Sequence, residues 1–148
     1  MNPKFRQAVE SLHPNYERLI GAAPYAEGST LPEKGVYLFS KDGSNFYVGR
    51  SDNIPRRRLH HIRGSVNQAA LAMLIARKVT SCPVDYSKGA KQRLLENEEF
   101  MEAFRRAKED VRKMEFRAVA ECDPTRQALL EVYCAIAANT QHNDFRNH

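Results

Sequence analysis

The sequence predicts a small α+β domain: a three-stranded antiparallel sheet flanked by helices, with an extra helical insertion. Three observations predict it. Gly35–Ser40 and Asn45–Arg50 are β-branched and aromatic runs joined by Lys-Asp-Gly-Ser, and Asp-Gly between two such runs is the favoured chemistry of a tight antiparallel hairpin. Phe100, Phe104, Ala107, Val111 and Met114 recur at spacings of four and three, the period of a helix with one apolar face. The order hairpin, helices, strand, helix keeps strands and helices apart along the chain, as α+β domains do. At 148 residues the chain has the usual size of one domain, and no repeat, low-complexity tract or linker divides it.

Each element follows from local chemistry. Residues 1–34 form an N-terminal extension of one or two short helices: Phe5, Val9 and Leu12 fall at helical spacing, and Asn15 can cap a turn through Leu19 and Ile20. GAAPYAEGSTLPEKG is loop, rich in Gly and Pro. Residues 35–64 are the hairpin and the helix behind it. Alternation puts Val36 and Leu38 on one face of the first strand, with Tyr37 and Phe39 on the other; Tyr47 and Gly49 share a face of the second. Neither side of such a sheet is polar, so helices must cover at least one. The following helix takes Ser51 or Asp52 as cap, accepts Pro55 in its first turn and stops at Gly64. Residues 65–114 are the helical insertion: a helix from Val66 to Val79, apolar almost all round, the connector SCPVDYSKG, and one long helix from Ala90 to Lys113 whose apolar stripe is either core or a partner surface. Residues 115–148 supply a third strand in EFRAVAE, a helix opened by Asp123-Pro124 as cap and first-turn proline and running to about Ala138, and an irregular tail.

Composition bounds the setting. The longest apolar run, Ala69–Ala76, is far too short to span a bilayer, and the first residues lack the pattern of a secretory signal, so a cytoplasmic location is expected. Cys82, Cys122 and Cys134 are odd in number and lack C-x-x-C spacing, which suggests neither a disulfide framework nor a cysteine zinc site. The net charge of +5 is concentrated: Arg50, Arg56, Arg57, Arg58 and Arg63 face only Asp52 between Arg50 and Gly64, while the rest of the chain nearly balances. Such a patch suits a polyanion, because neutralised phosphates release counterions; a solvated basic helix is the bland alternative.

The polar residues that this outline brings together are suited to phosphoryl chemistry. The hairpin sets Tyr37 beside Tyr47. Arg57 and His61 stand at i and i+4 on the next helix, and Arg50 leads into it. Glu131 lies on a helical stripe with Ala128, Ala135 and Ala138, a carboxylate that something large can approach. Phosphodiester hydrolysis needs a base for water, cations for the charge developing on the phosphoryl oxygens, and commonly a metal at the leaving oxygen. Tyr, Arg, His and Glu supply the set, and the planar fork of Arg matches phosphate.

Gly35-Val36-Tyr37 followed by Tyr47-Val48-Gly49 resembles the paired signatures of the GIY-YIG nuclease superfamily, and Arg57, His61, Glu131 and Asn143 follow at family-like spacing. The resemblance covers residues 35–64 most closely and 115–148 less so. It implies a metal-dependent endonuclease acting on DNA, RNA being also admissible. Tyr47 would be the general base, with Tyr37 lining the site or sharing the relay. Arg57 would grip the scissile phosphate, and His61 would assist the relay or the phosphate contact. Glu131 would be the sole protein ligand of one Mg²⁺ or Mn²⁺ ion, Asn143, favoured over Asn139 by its Asn-Asp-Phe context, would hold the last segment to the sheet, and Gly35 and Gly49 would serve the structure of the site. Arg50, where several relatives carry Lys, and Arg56, Arg58 and Arg63 would contact nucleic acid. The alternatives are a module that binds nucleic acid through the Arg50–Arg63 patch without cutting, and an adaptor using helix 90–113, which is also the candidate surface for a second copy or a targeting partner.

Overall fold

The computed structural model describes residues 1–143 and Phe145. The elements run α1 (Pro3–Gly21), β1 (Gly35–Lys41), β2 (Ser44–Ser51), α2 (Ile54–Arg63), α3 (Ala70–Thr80), α4 (Ala90–Glu96), α5 (Glu98–Lys113), β3 (Glu115–Ala120) and α6 (Pro124–Ala137). The fold is α+β, with a three-stranded antiparallel sheet and six helices among the described residues. The chain divides into two compact units, one of Met1–Arg57 with Met114–His148 and one of Arg58–Lys113.

In the first unit the strand order is β2-β1-β3, so the hairpin's first strand is central. Asp42 and Gly43 in the turn both take positive φ, 51° and 77°, the backbone pattern whose twist suits a two-residue hairpin. The alternation is as expected. Val36, Leu38, Val48 and Val119 meet Leu12 and Leu19 of α1 and Leu130 and Cys134 of α6 in one core. On the opposite face Tyr37 stacks on Phe116, and Phe39 meets both rings edge-on, with centroids 4.9–6.0 Å apart. Gly35 sits opposite Ala120, and a Cβ there would strike the Val119 carbonyl, so the close approach of β3 requires glycine.

Several boundaries differ from expectation. α1 is one continuous helix, capped by Asn2, whose side chain accepts from the Lys4 and Phe5 amides. Leu12 and Leu19, buried on either side of Pro14, hold it together, and Asn15 is not a cap but a bridge that donates to Glu121 at 3.2 Å. α2 is capped by neither Ser51 nor Asp52: Asn53 Oδ1 accepts from the Arg56 amide at 3.2 Å, while Ser51 Oγ accepts from the Asn53 amide. α6 opens as expected, with Asp123 accepting from the Arg126 amide at 2.8 Å. Asn139, in the left-handed region at φ 52°, follows its end.

In the second unit α3 begins at Ala70 rather than Val66, because Ser65 accepts from the Gln68 and Ala69 amides through its carbonyl and from Asn67 through its hydroxyl, a local turn that competes with helix. The long helix is broken at Asn97, whose side chain caps α5 by accepting from the Phe100 amide at 3.0 Å. α5 packs on α3, and its stripe of Phe100, Phe104, Ala107 and Val111 is buried, so that stripe is core and not an open partner surface. All three cysteines are free thiols. No helix among the described residues is long and apolar enough to cross a membrane.

Candidate active site

A basin of about 320 Å³ opens in the first unit, where β2 gives way to α2, with α6 as its far wall. Tyr37, Tyr47, Gly49, Arg50, Arg57 and Glu131 line it, together with Ser51, Asp52, Pro124 and Gln127. Its position at the sheet edge explains how residues from two faces meet. Tyr37 and Tyr47 belong to the aromatic face, whereas Arg50 shares the Val48 face that α6 covers. Tyr37 lies directly opposite Gly49, and any Cβ on Gly49 would overlap the Tyr37 ring and hydroxyl. Gly49 therefore lets the phenol cross the edge strand into the basin.

The two phenols differ. Tyr37 is 1% exposed, and its oxygen accepts from Arg57 Nε at 3.3 Å. Tyr47 is half-buried, with its ring centroid 6.4 Å from that of Tyr37. Burial raises both phenols above their ordinary value; Arg57 opposes the rise by charge and hydrogen bonding, and the Glu131 charge adds to it. Both effects mark Arg57 and Glu131 as electrostatic neighbours of the same pair of hydroxyls.

Glu131 Oε2 accepts from Arg50 Nε at 3.0 Å, with the two side chains 19% and 47% exposed. Burial raises the Glu131 carboxyl above its usual range in spite of that guanidinium. One helical turn before it, Gln127 is buried in the same wall, its Nε2 donating to the Glu121 carbonyl at 2.6 Å and to Asp52 Oδ1 at 3.3 Å. Sequence reasoning missed Gln127 and treated Asp52 only as a cap. The available signal was the i, i+4 relation of Gln127 to Glu131.

The remaining expected residues fall elsewhere. Arg56 and Arg63 are exposed and Arg58 is half-buried, and none of the three lines the basin: successive helix residues diverge by about 100°, so only Arg57 of that run faces it. His61 has no exposed surface, which removes direct phosphate contact from its expected roles. Asn143 closes the outer edge of β2: its Oδ1 accepts from the Val48 amide at 2.8 Å and its Nδ2 donates to the Val48 carbonyl at 2.7 Å, as a neighbouring strand would. Gln141 and His142 continue the seal by donating to the Asn45 and Phe46 carbonyls.

Glu131 is the carboxylate best placed to hold a metal. No group of three or more His, Cys, Asp or Glu side chains converges among the described residues, so an ion here would rest on Glu131 and keep water for most of its shell. The residues fit that arrangement: Glu131 is a desolvated carboxylate that already draws a cationic side chain, in a basin with a polar lining. Compared with protein-family models, curated proteins and solved structures, the chain finds no match in any of the three.

Proposed function

We propose that the chain is a GIY-YIG-type endonuclease that hydrolyses phosphodiester bonds in DNA. The observation that carries this proposal is the convergence of Tyr37, Tyr47, Arg57 and Glu131 on one basin, from four elements and both faces of the sheet. Tyr37 also packs in the aromatic face, but placing a guanidinium and a carboxylate beside buried phenols is unfavourable without a use for it.

In the reaction, water attacks phosphorus as the bond to the leaving oxygen breaks. The water proton passes to a base, and the leaving alkoxide takes up a proton to become an alcohol. Arg57 donates to the non-bridging oxygens, where charge develops. Tyr47 is the better-placed base, since Tyr37 is 1% exposed and its oxygen already accepts from Arg57. Because burial raises Tyr47, its phenolate forms only against Arg57 and other nearby positive charge, and cleavage should therefore speed up as pH rises toward the ordinary tyrosine range of about 10. A Mg²⁺ or Mn²⁺ ion held by Glu131 would, when bound, supply positive charge beside the leaving oxygen. Arg50, half-exposed at the rim, opposes the rise of the Glu131 carboxyl and is open to phosphate, as is the exposed Arg56.

The test is cleavage of supercoiled plasmid, single-stranded DNA and RNA with Mg²⁺, Mn²⁺ or EDTA. Metal-dependent cutting should fall by roughly 10²–10³-fold in Arg57→Ala, fall at least as far in Glu131→Ala, and lose its alkaline rise in Tyr47→Phe. Equal cutting by all proteins would overturn the proposal. The runner-up, a binding module that does not cut, draws on the Arg50–Glu131 ion pair, which would then be permanent. It predicts DNA binding without cleavage in every metal.

A further inference from the structure

We propose that Gln127 and Asp52 are the outer wall of the cation site, accepting hydrogen bonds from the waters of a divalent ion held by Glu131. The proposal rests on the nuclease reading above and extends it to two residues that the family signature does not contain.

The geometry of Gln127 carries it. The residue is 2% exposed, and a carboxamide buried that deeply is costly unless its polar atoms are used. Its nitrogen meets two oxygen acceptors, the Glu121 carbonyl and the Asp52 carboxylate. The amide is therefore not turned over: the nitrogen is fixed on those partners, and Oε1 is left as an acceptor. Oε1 has no hydrogen-bond partner among the described residues, yet it is not sealed from solvent, and Gln127 lines the basin.

The basin is thus divided by polarity. Of the lining residues Arg50 and Arg57 carry only donors, whereas Glu131, Asp52 and Gln127, through its unpartnered Oε1, can offer acceptors on the α6 side and at the end of β2. Phosphate oxygens need the donors. The acceptors need a ligand that offers hydrogen-bond donors, and a hydrated divalent cation offers little else. Because no group of three or more His, Cys, Asp or Glu side chains converges among the described residues, the ion must keep most of its waters, and those waters need acceptors at fixed positions. Gln127, one turn before Glu131 on α6, and Asp52, held by the Gln127 amide, are the groups in place. They act through water and so are positioning residues, not catalytic ones.

The experiment is Mn²⁺ binding to the full chain without nucleic acid, followed by electron paramagnetic resonance, with thermal melting of each variant as the folding control. Gln127→Met keeps the volume and removes the acceptor; Asp52→Asn keeps the shape and removes the charge. Both should weaken Mn²⁺ roughly 10–100-fold, the usual effect of losing an outer-shell partner. Hexaamminecobalt(III), which presents only exchange-inert donors, should displace Mn²⁺ from the wild type and do so less well in both variants. If Gln127→Met fails to fold, Asp52→Asn and the cobalt competition decide alone. Binding that is abolished by Glu131→Ala but unchanged in folded Gln127→Met and Asp52→Asn would overturn the inference and leave the nuclease reading standing. Unchanged Mn²⁺ affinity with a raised KM for nucleic acid would overturn it too, placing the acceptors against a base or sugar. No Mn²⁺ binding by the wild type would sink both, whereas Mn²⁺ binding of the stated pattern without any cleavage would sink only the nuclease.

Discussion

Two sets of glutamates, one on α5 and one in the basin, carry the same kind of partner at nearly the same distance and titrate in opposite directions. Glu102 meets Arg105 at 3.0 Å, and Glu131 meets Arg50 at 3.0 Å. On α5 the hydrogen bond and charge of the arginine hold Glu102 below the usual carboxylate range, and Arg112 does the same for Glu109. In the basin the carboxyl is raised, because desolvation outweighs the guanidinium. The α5 pairs join residues three or four apart with both side chains half-exposed or more, whereas the Arg50–Glu131 pair closes across 81 residues with Glu131 19% exposed. An ion pair is therefore not one kind of object: solvation decides whether it relaxes a carboxylate or leaves it poised for a stronger cation.

The largest way to break the basin is to fill the gap that makes it. Gly49→Ala puts a methyl group into the Tyr37 ring and hydroxyl, and Tyr37, 1% exposed, has nowhere to retreat. Overpacking of this kind costs about 1–3 kcal/mol, and it displaces the phenol as well. Chemical denaturation should show the loss, and cleavage should fall further than the stability change explains. Any substitution on the outer face of α5 should do neither. Next in size is Asn143→Ala. It leaves the Val48 amide and carbonyl without their side-chain partner at a strand edge, for a loss of about 1–2 kcal/mol, and should speed amide exchange at Val48. Unaltered exchange there would mean that the backbone bonds of Gln141 and His142 hold the seam alone.

What was legible in the sequence tracks the same divide between local and distant. The Asp42-Gly43 turn, the two-faced strands and the Asp123-Pro124 helix start each depend on residues within a few positions of one another, and each was readable. The break at Asn97 was not, since Asn is tolerated inside a helix and becomes a cap only when the chain before it turns away. Likewise Asn53, not its neighbours, caps α2, because Ser51 is used to hold the Asn53 amide. The basin residues Tyr37, Tyr47, Arg57 and Glu131 could be named from the hairpin, the helix spacing and the family resemblance, but the pairing of Arg50 with Glu131 and the Gln127–Asp52 contact are products of packing. The burial of His61 had no sequence signal beyond its place on a helix whose other residues are mostly basic.

The comparison sharpens to a matter of sign. In EDTA at neutral pH, Glu131→Gln should raise the melting temperature, because it removes a charge that burial disfavours, and with Mg²⁺ restored it should fail to cleave; each kcal/mol relieved corresponds to about 2–4 °C. Glu131's folded value lies above its ordinary 4.5, so the stability it contributes is intact below that value and is lost as pH rises through the raised one. The advantage of Gln should therefore be full at neutral pH and vanish in acid.

Glu109→Gln should run the other way and scarcely register. Its carboxyl is lowered, so its contribution is present above the ordinary value and lost as pH falls through the depressed one. Glu109 and Arg112 are each about half-exposed, however, and water and salt screen the pair to near nothing. Melting curves of Glu109→Gln and the wild type should overlay from neutral pH down to the acid transition, and cleavage should be the same. A Glu109→Gln protein that gained stability as Glu131→Gln does would show that charge removal alone, not burial in the basin, sets the sign.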